Sequence, residues 1–428
     1  MSALLVLGIV GAALTWISLW PPHRPGFLAL TCFFLGWLVS ELPLHVALLE
    51  LGLGGLFAIT TGVHGNADAF GLALIGLSLL GMIHHVRLAT QTTLVIERAL
   101  KAGLGRDYHD KIDPELRKTY DPSTSWGRLA MIWPSRPRTI DRQRNVVYVH
   151  RGTRPLRLDI YKRRQDPPTN APVFLYVHGG GWMIGNKGQQ GRLILHELAS
   201  AGWIGVSIEY RLSPRATFPD HLHDVKHAIA WVKQHIAEHG GDPSFVVIGG
   251  GSAGAHLASL AALTPNVIDY QRDFPEVDTS VQGCVAFYGI YDFADRARHF
   301  RHAAFRKLLL ERIVMKRRFA DAEDDYDRAS PIFHAQSLAA IPPFMVLHGD
   351  RDSLAPLGGA LRFCDVVRSR NGKSPLVWAC LPGAQHAFEV FPSLRSVPAV
   401  HGVHRFCQAL YSAHRAERGV RRTALDPA

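Results

Sequence analysis

Charge is almost absent from the first 90 residues of this chain and abundant after them. Of the 47 Lys and Arg residues only Arg24 and Arg87 fall there, and of the 36 Asp and Glu residues only Glu41, Glu50 and Asp68. A helical bundle in water needs charge on its wetted face, so this stretch predicts an all-α transmembrane segment over residues 1–90. The alternative is a buried helical bundle of a soluble protein. The rest of the 428 residues carries the charge and is long enough for one large α/β domain with a full core.

Four apolar stretches subdivide the first part. Ser2 to Trp20 is closed by Pro21-Pro22-His23-Arg24-Pro25, and Phe27 to Ser40 by Glu41-Leu42-Pro43. Leu44 to Val63 is interrupted by His45 and Glu50, and Phe70 to Ile83 ends at His84-His85-Val86-Arg87. Spanning takes about 20 apolar residues. The first and third stretches meet that length and the second and fourth are short. One helix broken near Pro43 is the alternative for residues 27–63. Three or four spans are expected, four being the preferred count, with His84 and His85 at the interface. Residues 1–20 lack the basic start and small-x-small cleavage site of a signal peptide. Basic residues cluster after the last stretch (Arg87, Arg98, Lys101, Arg106, Lys111). The positive-inside rule then puts the second part on the cytoplasmic side of a multi-pass membrane protein. Cys32, Cys284, Cys364, Cys380 and Cys407 are scattered and odd in number, which predicts no disulfide framework.

Thr90 to Leu104 reads as a juxtamembrane helix with Leu94, Val95, Leu100 and Leu104 on its apolar face, and residues 105–144 as a polar, proline-containing connector. Strands are predicted at Val146–Val149, Leu156–Tyr161, Val173–Val177, Ile204–Glu209, Phe245–Ile248, Gly283–Phe287, Phe344–Leu347 and Leu376–Leu381. Helices are predicted near 190–201, 221–239, 253–263, 357–370 and 398–413, with residues 415–428 a frayed tail. Two early strands followed by repeated strand–helix units imply a mostly parallel sheet with helices on both faces across 145–414.

Ser252 sits in Gly250-Gly251-Ser252-Ala253-Gly254, between the strand Phe245–Ile248 and an Ala/Leu-rich helical run. A strand, a tight Gly-rich turn and a helix with serine at the apex form the nucleophile elbow of serine hydrolases. His178-Gly179-Gly180-Gly181-Trp182 follows an earlier strand, and successive glycines let backbone N–H groups turn toward a carbonyl oxygen. Such donors are worth about 3–4 kcal/mol each where negative charge develops. Asp350 and Asp352 follow the strand Phe344–Leu347, and His386 follows Leu376–Leu381. The order serine, acid, histidine is that of α/β-hydrolases. A serine hydroxyl needs a base, which His386 supplies, and a carboxylate fixes the imidazole tautomer. This chemistry requires no cofactor and no metal.

Together these motifs make residues 145–413 resemble the hormone-sensitive-lipase-like branch of the α/β-hydrolase superfamily (α/β-hydrolase fold-3). The matching stretches are His178–Trp182, Glu209-Tyr210-Arg211-Leu212-Ser213-Pro214 with Phe218-Pro219, Gly250–Gly254, Ser330-Pro331, His348–Asp352 and His386. The resemblance implies an α/β-hydrolase fold with a cap insertion at about 292–330. It implies a carboxylesterase or lipase acting on a small or lipid-like ester. It puts the oxyanion donors on the N–H groups of Gly180, Gly181 and Ala253, and the triad acid on Asp352 rather than Asp350. Two positions depart from the family's pattern. Gly251 replaces an acidic residue before the serine, and Ala255-His256 replaces Gly-Asn after the elbow. An amide or formamide hydrolase or a deacetylase on the same machinery is one alternative, and a non-catalytic membrane scaffold another.

Three further features invite functional readings. His223 and His227, with His221 and Asp224, have metal-ligand spacing on a helix, but a solvated helix face is the expectation. His178, ahead of the oxyanion glycines, is expected to brace their loop. Residues 296–318 hold nine basic side chains (Arg296, Arg298, Arg301, Arg306, Lys307, Arg312, Lys316, Arg317, Arg318) and one acid, Glu311. Phe305, Leu308, Leu309, Arg312 and Ile313 share one face there. A cap helix paired with the acidic run 321–327 is expected, and a cap resting on anionic lipid is the sharper alternative. No nucleic-acid-binding module is present.

Overall fold

The computed structural model describes residues 1–21, 26–121, 123, 125–300, 305–370 and 374–425. Eight strands form one sheet: β1 (Ile140–Arg151), β2 (Arg154–Arg163), β3 (Ala171–Val177), β4 (Ile204–Ile208), β5 (Gly241–Gly251), β6 (Gly283–Phe287), β7 (Phe344–Gly349) and β8 (Leu376–Leu381). The spatial order is β1-β2-β4-β3-β5-β6-β7-β8. β2 runs antiparallel to both of its neighbours, and every pairing from β4 to β8 is parallel.

All eight predicted strands are present because the central ones are apolar on both faces. In β3, Val173, Leu175 and Val177 enter the core on one side and Phe174 and Tyr176 the core on the other. Helices Asp220–His235, Ala253–Leu263 and Leu357–Arg370 cover the first side. Helices Arg192–Ser200 and Ser396–Leu425 cover the second. β1 begins at Ile140, inside the expected connector. Its start is polar and interrupted by a bulge where Asn145, at φ 61°, donates its N–H to Asp159 Oδ1 at 2.8 Å. A bulge breaks the alternation by which a strand is read. The expected frayed tail is instead the end of a helix that continues to Leu425. Arg415–Asp113 (2.7 Å) and Arg418–Asp242 (3.4 Å) tie that end down, while 426–428 lie outside the described residues.

Ahead of the sheet come α1 (Ala3–Leu19), α2 (Gly26–Glu41), α3 (Pro43–Thr61), α4 (Gly65–Thr90) and α5 (Thr92–Leu104). Two helical stretches are long and apolar enough to cross a membrane, Pro43–Thr61 and Gly65–Leu104. α1 and the described part of α2 are shorter. Small residues pack inside this bundle and large apolar ones face out. A Cβ on Gly8 would lie 2.3 Å from Gly71 O, and one on Gly81 2.3 Å from Thr15 Cγ2. Thr15 meets Ser78 at 2.9 Å, and Ser78 donates to Glu50 at 2.8 Å. Leu48, Ile59, Leu77 and Leu80 point outward. His85, expected at the interface, points inward to Ser18 Oγ at 2.7 Å, while His84 is exposed. α5 packs through Ile96, Ala99 and Leu100 into the core that holds β8 and the last helix, whereas Leu94, expected on its apolar face, is exposed.

Candidate active site

Ser252 stands between β5 and the helix Ala253–Leu263 at φ 55° and ψ −120°, a strained backbone for a residue with a Cβ. The turn fits only because its neighbours have none. A Cβ on Gly254 would lie 2.0 Å from Val177 O, and one on Gly250 2.5 Å from the same atom. The Ser252 N–H is held by Phe287 O at 3.0 Å.

Residues from three loops converge on its hydroxyl. His386 Nε2 lies 2.8 Å from Ser252 Oγ, and His386 Nδ1 lies 2.8 Å from Asp352 Oδ2. The carboxylate only accepts, so Nδ1 carries the proton and Nε2 is left to accept the serine proton. Asp352 Oδ1 receives the N–H groups of Leu354 (2.9 Å) and Ala355 (2.7 Å). Burial alone would raise this carboxyl. The hydrogen bond from His386, and the positive charge that ring carries once it has accepted a proton, outweigh it and hold Asp352 below the ordinary carboxylate range. Asp350 faces elsewhere, accepting from Gly383 N at 2.7 Å. Both acids were visible as candidates in the sequence, and only Asp352 meets the histidine.

The His178–Trp182 loop runs against the elbow. A Cβ on Gly179 would sit 2.7 Å from Gly251 O and 3.2 Å from Ser252 Cβ. Gly180 and Gly181 have φ of 114° and 60°, and a Cβ on Gly181 would meet open space. Neither N–H donates to a protein acceptor among the described residues. His178 stacks on Tyr210 with ring centroids 4.4 Å apart and contacts Gly179 O through Nδ1 at 2.7 Å. Burial lowers its pKa to about 4, so it braces the loop as a neutral ring. His256, where the sequence departs from the family's pattern, is a buried strut. Its Nδ1 accepts from Trp182 Nε1 at 3.3 Å, its Nε2 reaches Ala329 O at 2.7 Å, and its ring stacks on Phe293.

Sequence reasoning missed a second set of residues around His386. Its ring packs 4.5 Å from that of Tyr288, whose hydroxyl binds the buried Glu389, which also accepts from Tyr176 at 3.2 Å. Burial raises the Glu389 carboxyl above its ordinary range. On the other side stands α2. Phe33 meets His386 edge-on at 6.0 Å, Trp37 Nε1 donates to Ala387 O at 3.2 Å, and Glu41 pairs with Arg395 at 2.6 Å with neither side chain exposed. The available signal was one acid in an apolar run and one arginine among apolar residues near the C-terminus.

The other sequence candidates disperse. His223 and His227 turn to separate partners, Asp269 O at 3.0 Å and Asp273 Oδ2 at 3.1 Å, and His221 meets Ser213 at 3.1 Å. Among the described residues no cluster of three or more metal-ligating side chains occurs. In the basic segment, Arg296 pairs with Asp327 (2.6 Å), Arg306 with Glu311 (3.6 Å), and Arg317 with Asp325, while Arg301 lies outside the described residues. Phe305–Val314 forms a π-helix that buries Leu310 and Val314 and exposes Leu308. The wider turn moves the buried stripe off the face expected for an α-helix.

The strand order, the serine turn after β5 and the converging loops define an α/β-hydrolase. The BD-FAE family profile matches residues 158–364. The chain is 40% identical to the probable carboxylic ester hydrolase LipM of Mycobacterium tuberculosis over 96% of this chain and 94% of that one. It is 34% identical to the esterase LipQ of the same organism over 90% and 85%. Among solved structures, Thermogutta terrifontis esterase 2 phosphonylated by sarin aligns with a TM-score of 0.50 and 26% identity, covering 60% of this chain and 87% of that one. The chain belongs to the hormone-sensitive-lipase-like carboxylesterases. It is an ester hydrolase.

Proposed function

We propose that this esterase is membrane-anchored and works through Ser252, His386 and Asp352. The observation that carries the reading is the pair of 2.8 Å contacts linking the three side chains in series. Ser252 Oγ attacks the acyl carbon while His386 Nε2 takes its proton. The negative charge on the former carbonyl oxygen faces the N–H groups of Gly180, Gly181 and Ala253. The imidazolium, steadied by Asp352, returns the proton to the leaving alcohol and an acyl-serine remains. Water attacks that ester, His386 accepts its proton, and the same proton releases Ser252 as the carboxylic acid departs. No step calls for a cofactor.

The bundle of α1–α4, small and polar inside and apolar outside, supports anchoring, since helices in lipid associate through small residues and direct apolar chains outward. We read the arrangement as multi-pass from the run of apolar helices, and the basic residues after α4 favour the cytoplasmic side for the esterase domain. A small or lipid-like ester is the proposed substrate. The test is the Ser252→Ala variant of the full chain in detergent. It is expected to lose fluorophosphonate labelling and at least about 10⁴-fold in kcat on a short nitrophenyl ester. Retained turnover would overturn the reading.

A further inference from the structure

Resting on that reading of the triad, we propose that α2 is a working part of the active site: Glu41 and Trp37 are positioning residues for His386. The segment from Pro382 to Phe388 carries His386 in a loop, and most of its peptide groups are tied to neighbouring side chains. Gln385 Oε1 receives the N–H groups of Ser353 (2.8 Å) and His386 (2.9 Å). The N–H of Gln385 itself donates to Glu41 Oε1 at 3.2 Å. Glu41 Oε2 holds Arg395 Nη1 at 2.6 Å, and the same guanidinium reaches Ser40 O (3.0 Å) and, through Nη2, Pro382 O (3.2 Å). One residue beyond the histidine, Ala387 O accepts from Trp37. The N–H of Gln385, one residue before His386, and the carbonyl of Ala387, one residue after it, are therefore held by α2, and Pro382 O by the arginine that α2 neutralises. Phe33, one turn earlier on α2, closes the array by packing against the imidazole edge.

The chemistry explains why such bracing acts on rate. A base must meet the hydroxyl within a few tenths of an ångström, and displacement by about 1 Å costs about 100-fold. Fully buried, Glu41 and Arg395 are stable only in each other's presence, so the contact holds one geometry. The N-terminal segment thereby connects to the catalytic base as well as to a membrane.

The experiment uses the full-length protein in detergent and counts active sites by fluorophosphonate titration, so that loss of folded protein does not register as loss of rate. Glu41→Gln combined with Trp37→Phe removes the buried charge and the indole donor while keeping shape. Glu41→Gln combined with Arg395→Gln leaves no stranded charge and decides the matter if the first variant does not fold. Either variant, once shown to melt cooperatively, is expected to lose about tenfold or more in kcat per titrated serine, with KM within about threefold. Trp37→Phe alone, which removes one of the two α2 contacts, is expected to show a smaller loss, about threefold in kcat. A folded paired variant with kcat within twofold of the parent overturns the inference. If Ser252→Ala keeps parental turnover, the triad reading fails. If Ser252→Ala is inactive and the paired variants run at the parental rate, only the role of α2 fails.

Discussion

At the scale of single residues, the proposed reacting groups were legible because each stands where a strand ends and a glycine or short loop begins. Ser252 and His386 had one candidate each, while the acid had two by position; the resemblance pointed to Asp352, and it is Asp352 that meets His386. His256 was illegible: its value as a strut depends on Trp182, Phe293 and Ala329, which come from three distant parts of the chain. Close approaches allow a sharp prediction. Gly179→Ala would press a methyl group to 2.7 Å from Gly251 O and 3.2 Å from Ser252 Cβ. Backbone atoms cannot give way there, so the serine shifts. Steady-state kinetics are expected to show at least about a tenfold fall in kcat with the fold retained by circular dichroism.

At the scale of elements, the sheet was legible from its apolar runs and the N-terminal helices from their lack of charge. What each helix packs against was not. α2 reads as a short apolar span, yet its far end docks on the esterase domain through Trp37 and Glu41, a pairing across hundreds of residues that local pattern does not encode. The π-helix at Phe305–Val314 likewise defeats a reading based on a period of 3.6 residues. Within the bundle, Gly71 sits where a Cβ would be 2.6 Å from Leu4 C and O. Gly71→Val is therefore expected to part α1 from α4 and to lower the melting temperature of the detergent-solubilised protein by several degrees, a shift of order 1–3 kcal/mol. An unchanged melting curve would show that the helices do not cross this closely.

At the scale of the whole molecule, buried neutral imidazoles set a pH dependence. Burial lowers His178 and His221 to about 4 and His196 and His256 to about 3. In the unfolded chain these groups take up protons near pH 6.5. The unfolded state then binds more protons, so stability is full above about 6.5 and falls as pH drops toward 4, by on the order of 3 kcal/mol per ring. The melting temperature is expected to fall steadily between pH 7 and pH 5, and a flat profile would contradict the neutral assignments. The pairing of Glu41 with Arg395 has one more consequence, for biosynthesis. It joins residues 354 positions apart, so the brace on His386 is completed only after Arg395 has been translated. A nascent chain that has not yet reached Arg395 would lack this closing contact, so the base would gain its brace later than α2 itself forms.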